Sequence, residues 1–509
     1  MHSHGPTLDT DSPEPDRPHE PAHEGWTPRV VLSLLSMGLL LELLSISYML
    51  ISIALPDISA HYQTTQGAWL LTAFVLLGAV ASPLIGKLAD THGKRKLLMV
   101  CIALAALGAF ISAIAPSFGI LVIGRALTGM LNPCLFLVYT LIRDVFPKRT
   151  IAMSVSVVIS GMGLVAIPAP FLAGWLVDNF GFRSMFWFTL ICLVVLAPMI
   201  LLTTDESNQR LHSRLDLVGA ILLGTGIGSA LVGISFGPDW GWTAPGTLAY
   251  LLGGVALLVA WIVSARRIEQ PLIDLRLLTN RPVALTTLTS GLVYANGAVY
   301  TTILPFMAMT PGELGLGYGF GVDAEGFAIY QAPFGAATVF GGVIVGWVVR
   351  RVGPRVTMIT GLVLMTAGTA ATALSHESKA SVIVFSAIVG LGTGLGYAST
   401  PNLLLATVPQ SLQATTGALA SVSQNILPAV LPVVAFSVLN SKIAMELDGA
   451  AFYSDNGITI GYLIAAAAAA VAIITALALP RKAEQQADLQ AVADDAGADV
   501  AAATAPALP

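Results

Sequence analysis

The sequence predicts an all-α membrane protein of about fourteen spanning helices. Three observations carry that expectation. Of 509 residues, 55% are hydrophobic and only 10% charged, against about 25% charged in a typical soluble protein. Apolar stretches long enough to cross a bilayer, about 20 residues each, recur along almost the whole chain. The basic residues between them crowd onto alternate loops, the pattern that orients membrane helices.

The segments fall near 30–55, 66–88, 96–115, 118–142, 150–177, 184–203, 215–236 and 246–265, then 283–309, 325–349, 355–375, 380–406, 412–440 and 457–479. A count of twelve would leave 215–236 and 246–265 outside the bilayer, yet both are long and apolar enough to cross it. With both termini cytoplasmic, the inner flanks hold Arg29; Lys87, Lys94, Arg95 and Lys96; Arg143, Lys148 and Arg149; Arg210 and Arg214; Arg266, Arg267, Arg276 and Arg281; Arg350, Arg351 and Arg355; and Arg481 and Lys482. The outer side keeps Arg183, Lys379 and Lys442. One missed or spurious helix would scramble this alternation downstream, so the bias supports an even count.

The domain reading follows. Residues 1–28 form a polar, proline-rich tail expected to be disordered. A six-helix bundle covers 29–204, an inserted helix pair 205–270, a second six-helix bundle 271–480, and a disordered tail 481–509. An internal repeat supports the two bundles. Gly86 to Leu98 reads GKLADTHGKRKLL and Gly346 to Met358 reads GWVVRRVGPRVTM, about 260 positions apart. Gly124-Arg125-Ala126 has a weaker echo in Gly390-Leu391-Gly392. Transporters built from related halves look like this, with the substrate site near the midplane between them.

Several function classes drop out. Cys101, Cys134 and Cys192 lie in apolar segments without metal-type spacing and read as small buried hydrophobes. His2, His4, His19 and His23 are irregularly spaced in the tail, so no metal site is expected. No nucleophile–base set, phosphate loop or cofactor motif stands out, and the soluble regions are too small for a catalytic domain. Neither an enzyme nor a nucleic-acid binder is expected, and no cofactor is needed.

Two charges lie inside the membrane segments. Glu42 sits in the stretch Val30 to Leu55, which holds no Lys, Arg or Asp. Such a carboxyl is costly at bilayer depth and marks a substrate or proton pathway. Glu42 lies roughly 18 Å along its helix, and Arg125 at roughly 20 Å on an oppositely running one, so the two share a depth. The expectation is that Glu42 binds and releases a coupling proton while Arg125 tunes it; a permanent structural pair is the alternative.

These residues resemble the Major Facilitator Superfamily, specifically its fourteen-helix drug:proton antiporter branch. Gly86-Lys87-Leu88-Ala89-Asp90-Thr91-His92-Gly93-Lys94-Arg95 is similar to the signature inner loop Gly-x-Leu-Ala-Asp-Arg-x-Gly-Arg-Lys, with Thr91 in place of the Arg. The resemblance makes Gly86, Asp90, Gly93, Lys94 and Arg95 a conformational latch, with Asp90 able to cap a helix start and pair with bases. Leu215 to Gly219, Gly237 to Trp242 and Pro271 to Arg276 are similar to the branch's inserted-pair boundaries. Gly124 to Gly129 resembles Arg-x-x-Gln-Gly, with Thr128 for Gln.

Three departures stand out. The first-helix frame Leu-Asp-x-Thr-Ile-Val-Asn-Val-Ala-Leu-Pro has Ser47 at its Asp, and Glu42 lies some 140° around the helix from it. The fifth-helix motif Gly-x-x-x-Gly-Pro-x-x-Gly-Gly reads Ala166-x-x-Ala169-Pro170-x-x-Ala173-Gly174. The thirteenth helix carries Pro428 and Pro432, which would kink it and free carbonyls toward a cavity.

The resemblance implies a proton-coupled exporter of small amphiphilic compounds, multi-pass in the plasma membrane and monomeric. Its partners would be protons, lipid and a small-molecule cargo. A lipid-like metabolite exporter and a uniporter or importer of the same fold are the alternatives. Cavity-lining candidates are Tyr48, Asn132, Tyr139, Asn296, Tyr300, Gln331, Asn402, Gln424 and Asn425.

Overall fold

The computed structural model describes residues 26–479 except 148–149, 152–153, 155–157, 159–167, 208–215, 269–270, 272, 274, 276–278, 408–412 and 448–449. Both tails, and the histidines at positions 2, 4, 19 and 23, lie outside the described residues, as does Ala166. The helices are α1 Pro28–His61, α2 Trp69–His92, α3 Lys94–Ala113, α4 Phe118–Val145, α5 Ala169–Phe180, α6 Arg183–Thr203 and α7 Leu217–Trp240. They continue as α8 Pro245–Arg267, α9 Arg281–Met309, α10 Ala324–Val352, α11 Pro354–Leu374, α12 Lys379–Thr407, α13 Gln413–Asn440 and α14 Asp455–Leu477. Among the described residues, thirteen of these are long and apolar enough to span a membrane. Of the remaining expected span, near 150–177, the continuously described part is α5.

Local sequence explains where the helices begin. Thr27 Oγ1 accepts from Val30 N at 3.2 Å, just ahead of Pro28 in the first turn. Asp216 Oδ1 accepts from Gly219 N at 2.7 Å, and Asp323 Oδ1 from Gly326 N at 2.7 Å. Each satisfies a backbone donor that the helix itself leaves open. One element was not anticipated: β1 Ile443–Leu447 pairs antiparallel with β2 Ala450–Tyr453 between α13 and α14.

The sequence repeat is a structural one. Gly93 joins α2 to α3 at φ +116°, and Gly353 joins α10 to α11 at φ +87°, in a region that favours glycine. A side chain on Gly129 would come within 2.2 Å of Phe74 O, and one on Gly390 within 2.2 Å of Phe334 O. The offsets are again near 260. Close backbone approach of the second and fourth helices of each bundle therefore needs these glycines.

The inserted pair is asymmetric. α8 packs chiefly on α7, whereas α7 also packs on α13 and α2. Trp69 Nε1 donates to Ser235 Oγ at 3.0 Å, Gln66 bonds the same hydroxyl, and Ser437 Oγ donates to Ile234 O at 2.9 Å. α7 thus bonds to both bundles.

The start of α1 and the finish of α14 share one side, here called the terminal side. At the opposite side a single apolar cluster joins both bundles, from Leu50, Leu55 and Val177 to Tyr300, Phe306, Phe436 and Tyr462. Hydrogen bonds cross the same level: Ser52 Oγ to Thr301 O at 2.7 Å, Asn440 Nδ2 to Thr65 O at 3.2 Å, and the amides of Ala324 and Glu325 to the Asp178 carboxylate at 3.2 and 2.7 Å. Toward the terminal side the clusters separate. One is built almost wholly from α1 to α6, another from α9, α11, α12 and α14. Among the described residues the bundles share one core at the opposite end and keep largely separate cores toward the terminal one.

Candidate substrate and proton site

Glu42 is buried, 6% exposed, and its Oε2 has no hydrogen-bond partner. It does not pair with Arg125, so the expected mutual tuning has no contact to act through. Helix geometry is the reason: Arg125 Nη1 donates to Ser47 Oγ at 3.2 Å, and Ser47 faces well away from Glu42 on α1. Depth was shared; azimuth was not. Arg125 also approaches Leu70 O through Nε at 3.5 Å and lies over the Phe74 ring, 4.5 Å from its centroid. It is 1% exposed, and its Nη2 has no partner.

The electrostatic neighbour of Glu42 is Tyr139 on α4. Tyr139 in turn neighbours Tyr294 on α9. Tyr294 stacks on Tyr397 of α12 with centroids 4.0 Å apart, and Tyr397 neighbours Tyr48 on α1. Four half-buried tyrosines, two from each bundle, therefore lie near one another at the boundary between the bundles. Tyr294 and Tyr397 escaped the sequence reading, because each is one aromatic among many in an apolar helix and nothing in its own segment shows what faces it.

Other candidates are engaged inside one bundle. Asn296 is fully buried, donating through Nδ2 to Ala465 O at 2.8 Å. Tyr300 is fully buried, with its hydroxyl 2.9 Å from Ser386 Oγ. Both tie together helices of the second bundle instead of lining the central space. Asn132 donates to Gly129 O at 2.9 Å and Phe74 O at 3.4 Å. Asn402 and Asn425 donate to carbonyls of their own helices, Ala398 and Ser421. Gln331 is 3% exposed with Oε1 unpartnered, and Gln424 is half-buried. The proline turn of α13 serves helix contact: Thr72 Oγ1 donates to Ala429 O at 2.9 Å, across from α2.

The signature loop is wired differently from the expectation. Among the described residues Asp90 makes no hydrogen bond or ion pair, and the start of α3 is capped by Glu206, whose carboxylate accepts from Arg95 N at 2.8 Å and Lys96 N at 3.1 Å. Asp90 lies inside α2, one helix turn short of Gly93, so its carboxyl does not close over the new helix. Lys94 pairs with Asp144 at 2.5 Å, both buried, and Ser207 Oγ adds a 2.7 Å bond to the same carboxylate. Arg95 donates to Thr204 O at 2.8 Å. Gly86 faces only Phe136. Lys94 and Arg95 thus fasten α3 to its own bundle, and no described contact of this loop reaches the second one.

Two pseudo-symmetric bundles joined at one end, with polar side chains at their boundary, fit the architecture of a membrane transporter. Residues 37–432 and 286–502 match the model of the Major Facilitator Superfamily. The chain belongs to that family, and it is a transporter, not an enzyme. It is 27% identical over 424 residues to multidrug resistance protein Stp of Mycobacterium tuberculosis (strain CDC 1551 / Oshkosh), covering 82% of this chain and 76% of that one. It is 23% identical over 412 residues to the tetracenomycin C resistance and export protein of Streptomyces glaucescens, covering 79% and 74%. It is 27% identical over 384 residues to the uridine/deoxyuridine transporter of Lactococcus lactis subsp. cremoris (strain MG1363), covering 70% and 75%. Its fold matches a bacterial homologue of the human lysosomal transporter Spinster with a TM-score of 0.63 at 15% identity, over 89% of this chain and 98% of that one. The chain is a multi-pass protein of the cell membrane.

Proposed function

We propose that this transporter exports small amphiphilic compounds by alternating access, driven by protons that Glu42 carries. The observation that carries the reading is the buried Glu42 carboxyl with an unpartnered Oε2, in the electrostatic reach of Tyr139. A carboxyl without a permanent cation partner is suited to gain and lose a proton as its surroundings change. Tyr139 offers a hydroxyl between it and the tyrosines of the central space. The resistance and export proteins among its relatives support an outward cargo, and the aromatic lining suits compounds with flat apolar faces.

The test is uptake of a panel of amphiphilic probes into proteoliposomes under an imposed pH gradient. Glu42→Gln should abolish the gradient's effect while probe binding persists, and Glu42→Asp should restore part of it. Gradient-driven accumulation by Glu42→Gln at the parental rate would remove Glu42 from the coupling step. A second reading, uptake of a nucleoside-like solute, is favoured by the uridine/deoxyuridine transporter among the relatives. Competition by uridine in the same vesicles would select it.

A further inference from the structure

Arg125 is the largest side chain among those fully buried here, yet its partners are a hydroxyl, a carbonyl and a ring. Among the described residues no carboxylate lies within ion-pair distance of it. Burying a cation without an anion is expensive, and neutral acceptors compensate it only in part. Its Nη2 is buried with no acceptor at all. Beside it lies the buried Tyr48 hydroxyl, an electrostatic neighbour of Arg125 that faces the Thr302 hydroxyl, and both side chains flank Phe74. A charged donor with no acceptor therefore lies beside a phenol hydroxyl.

Their position is beside the contact between the bundles, and both are shielded in this arrangement. Tyr48 neighbours Thr302 of α9 and Tyr397 of α12, both from the second bundle. One turn further along α1, Ser52 makes the hydrogen bond that helps close the opposite side. A cargo would reach Arg125 and Tyr48 with its leading end only as the packing around them loosens. We infer that Arg125 and Tyr48 form an anion-binding subsite, which takes a carboxylate, phosphate or sulfonate carried on the polar end of an otherwise apolar cargo. The guanidinium fork suits such groups, and charge-assisted hydrogen bonds are roughly twice as strong as neutral ones. The inference rests on the transport reading above and narrows it from amphiphiles in general to anionic ones. It also gives Arg125 a role that needs no contact with Glu42.

The experiment measures equilibrium binding of radiolabelled naphthylhexanoate and its neutral twin naphthylhexanamide to the full chain in phosphatidylcholine vesicles, with no pH gradient. The parent should bind the carboxylate at least about tenfold more tightly than the amide. Ser47→Asp places a carboxylate where Oγ now meets Arg125, and should erase that preference while amide binding holds. Arg125→Gln should do the same, and Arg125→Lys should keep a preference. Equal binding of the two probes by the parent, or an undiminished preference in Ser47→Asp, overturns the inference. Repeating the measurement with phosphatidylglycerol in the vesicles separates cargo from lipid: unchanged carboxylate binding supports a cargo site, and suppression transfers the subsite to a headgroup and overturns the cargo assignment. Binding without a gradient is independent of coupling, so failure of the Glu42 test would leave this preference standing.

Discussion

Lys94 and Asp144 are 6% and 2% exposed at their side chains, 2.5 Å apart. Removing one member of such a pair strands the other charge away from water, which costs about 3–5 kcal/mol. Ser207 still serves Asp144, so Lys94→Met should destabilise the first bundle by about 3 kcal/mol, the low end of that range. A denaturation series in mild detergent checks it, and an unchanged midpoint would mean the pair is not buried as described. The sequence named Lys94 correctly as a residue of consequence but gave it the wrong company. Glu206 and Asp144 lie more than a hundred and about fifty residues away from the loop they hold, and no local pattern joins them.

Helix α5 meets the start of α10 through Gly174 and Asp178, one turn apart. A side chain at Gly174 would sit 2.3 Å from Glu325 Cα and 2.6 Å from Ala324 O. Asp178 accepts from the first free amides of α10, so a carboxylate of one bundle caps a helix of the other. This contact must break whenever the opposite side opens. Gly174→Ala should disfavour the closed arrangement by about 1–3 kcal/mol, as overpacking does, and shift the population toward opening there. Spin labels on the exposed Phe180 and Glu313 would report a longer mean distance; an unaltered distance distribution would show that the seal tolerates the methyl group. The motif around Gly174 was legible, but its partner was not. Helix periodicity gives a small-residue face without saying which of thirteen other helices lies on it.

At the scale of the molecule, a shared core on one side and largely separate cores on the other are what the proposed alternating access requires of one of its states. Tyr397 belongs to the separated region, so Tyr397→Cys should react with a membrane-impermeant maleimide supplied from the terminal side and resist it from the other. Comparable labelling from the opposite side would contradict the seal. α8 faces the other way, with Leu252 66% and Val255 56% exposed. It contributes little to the central space, so the inserted pair acts through α7, which bonds both bundles.

Hydrophobic length and a repeat of about 260 residues made the order of the helices and their resemblance in two halves legible, because those properties belong to each segment alone and answer to the bilayer. Which face of each helix meets which neighbour was decided only by packing. That is why Arg125 found Ser47 and not Glu42, why Tyr294 and Tyr397 joined a site that no motif announced, and why Asn296 and Tyr300 were drawn into a bundle interior. Depth in the membrane is a count of residues along one helix. Contact is a relation between two helices, and it appears only when both are in place.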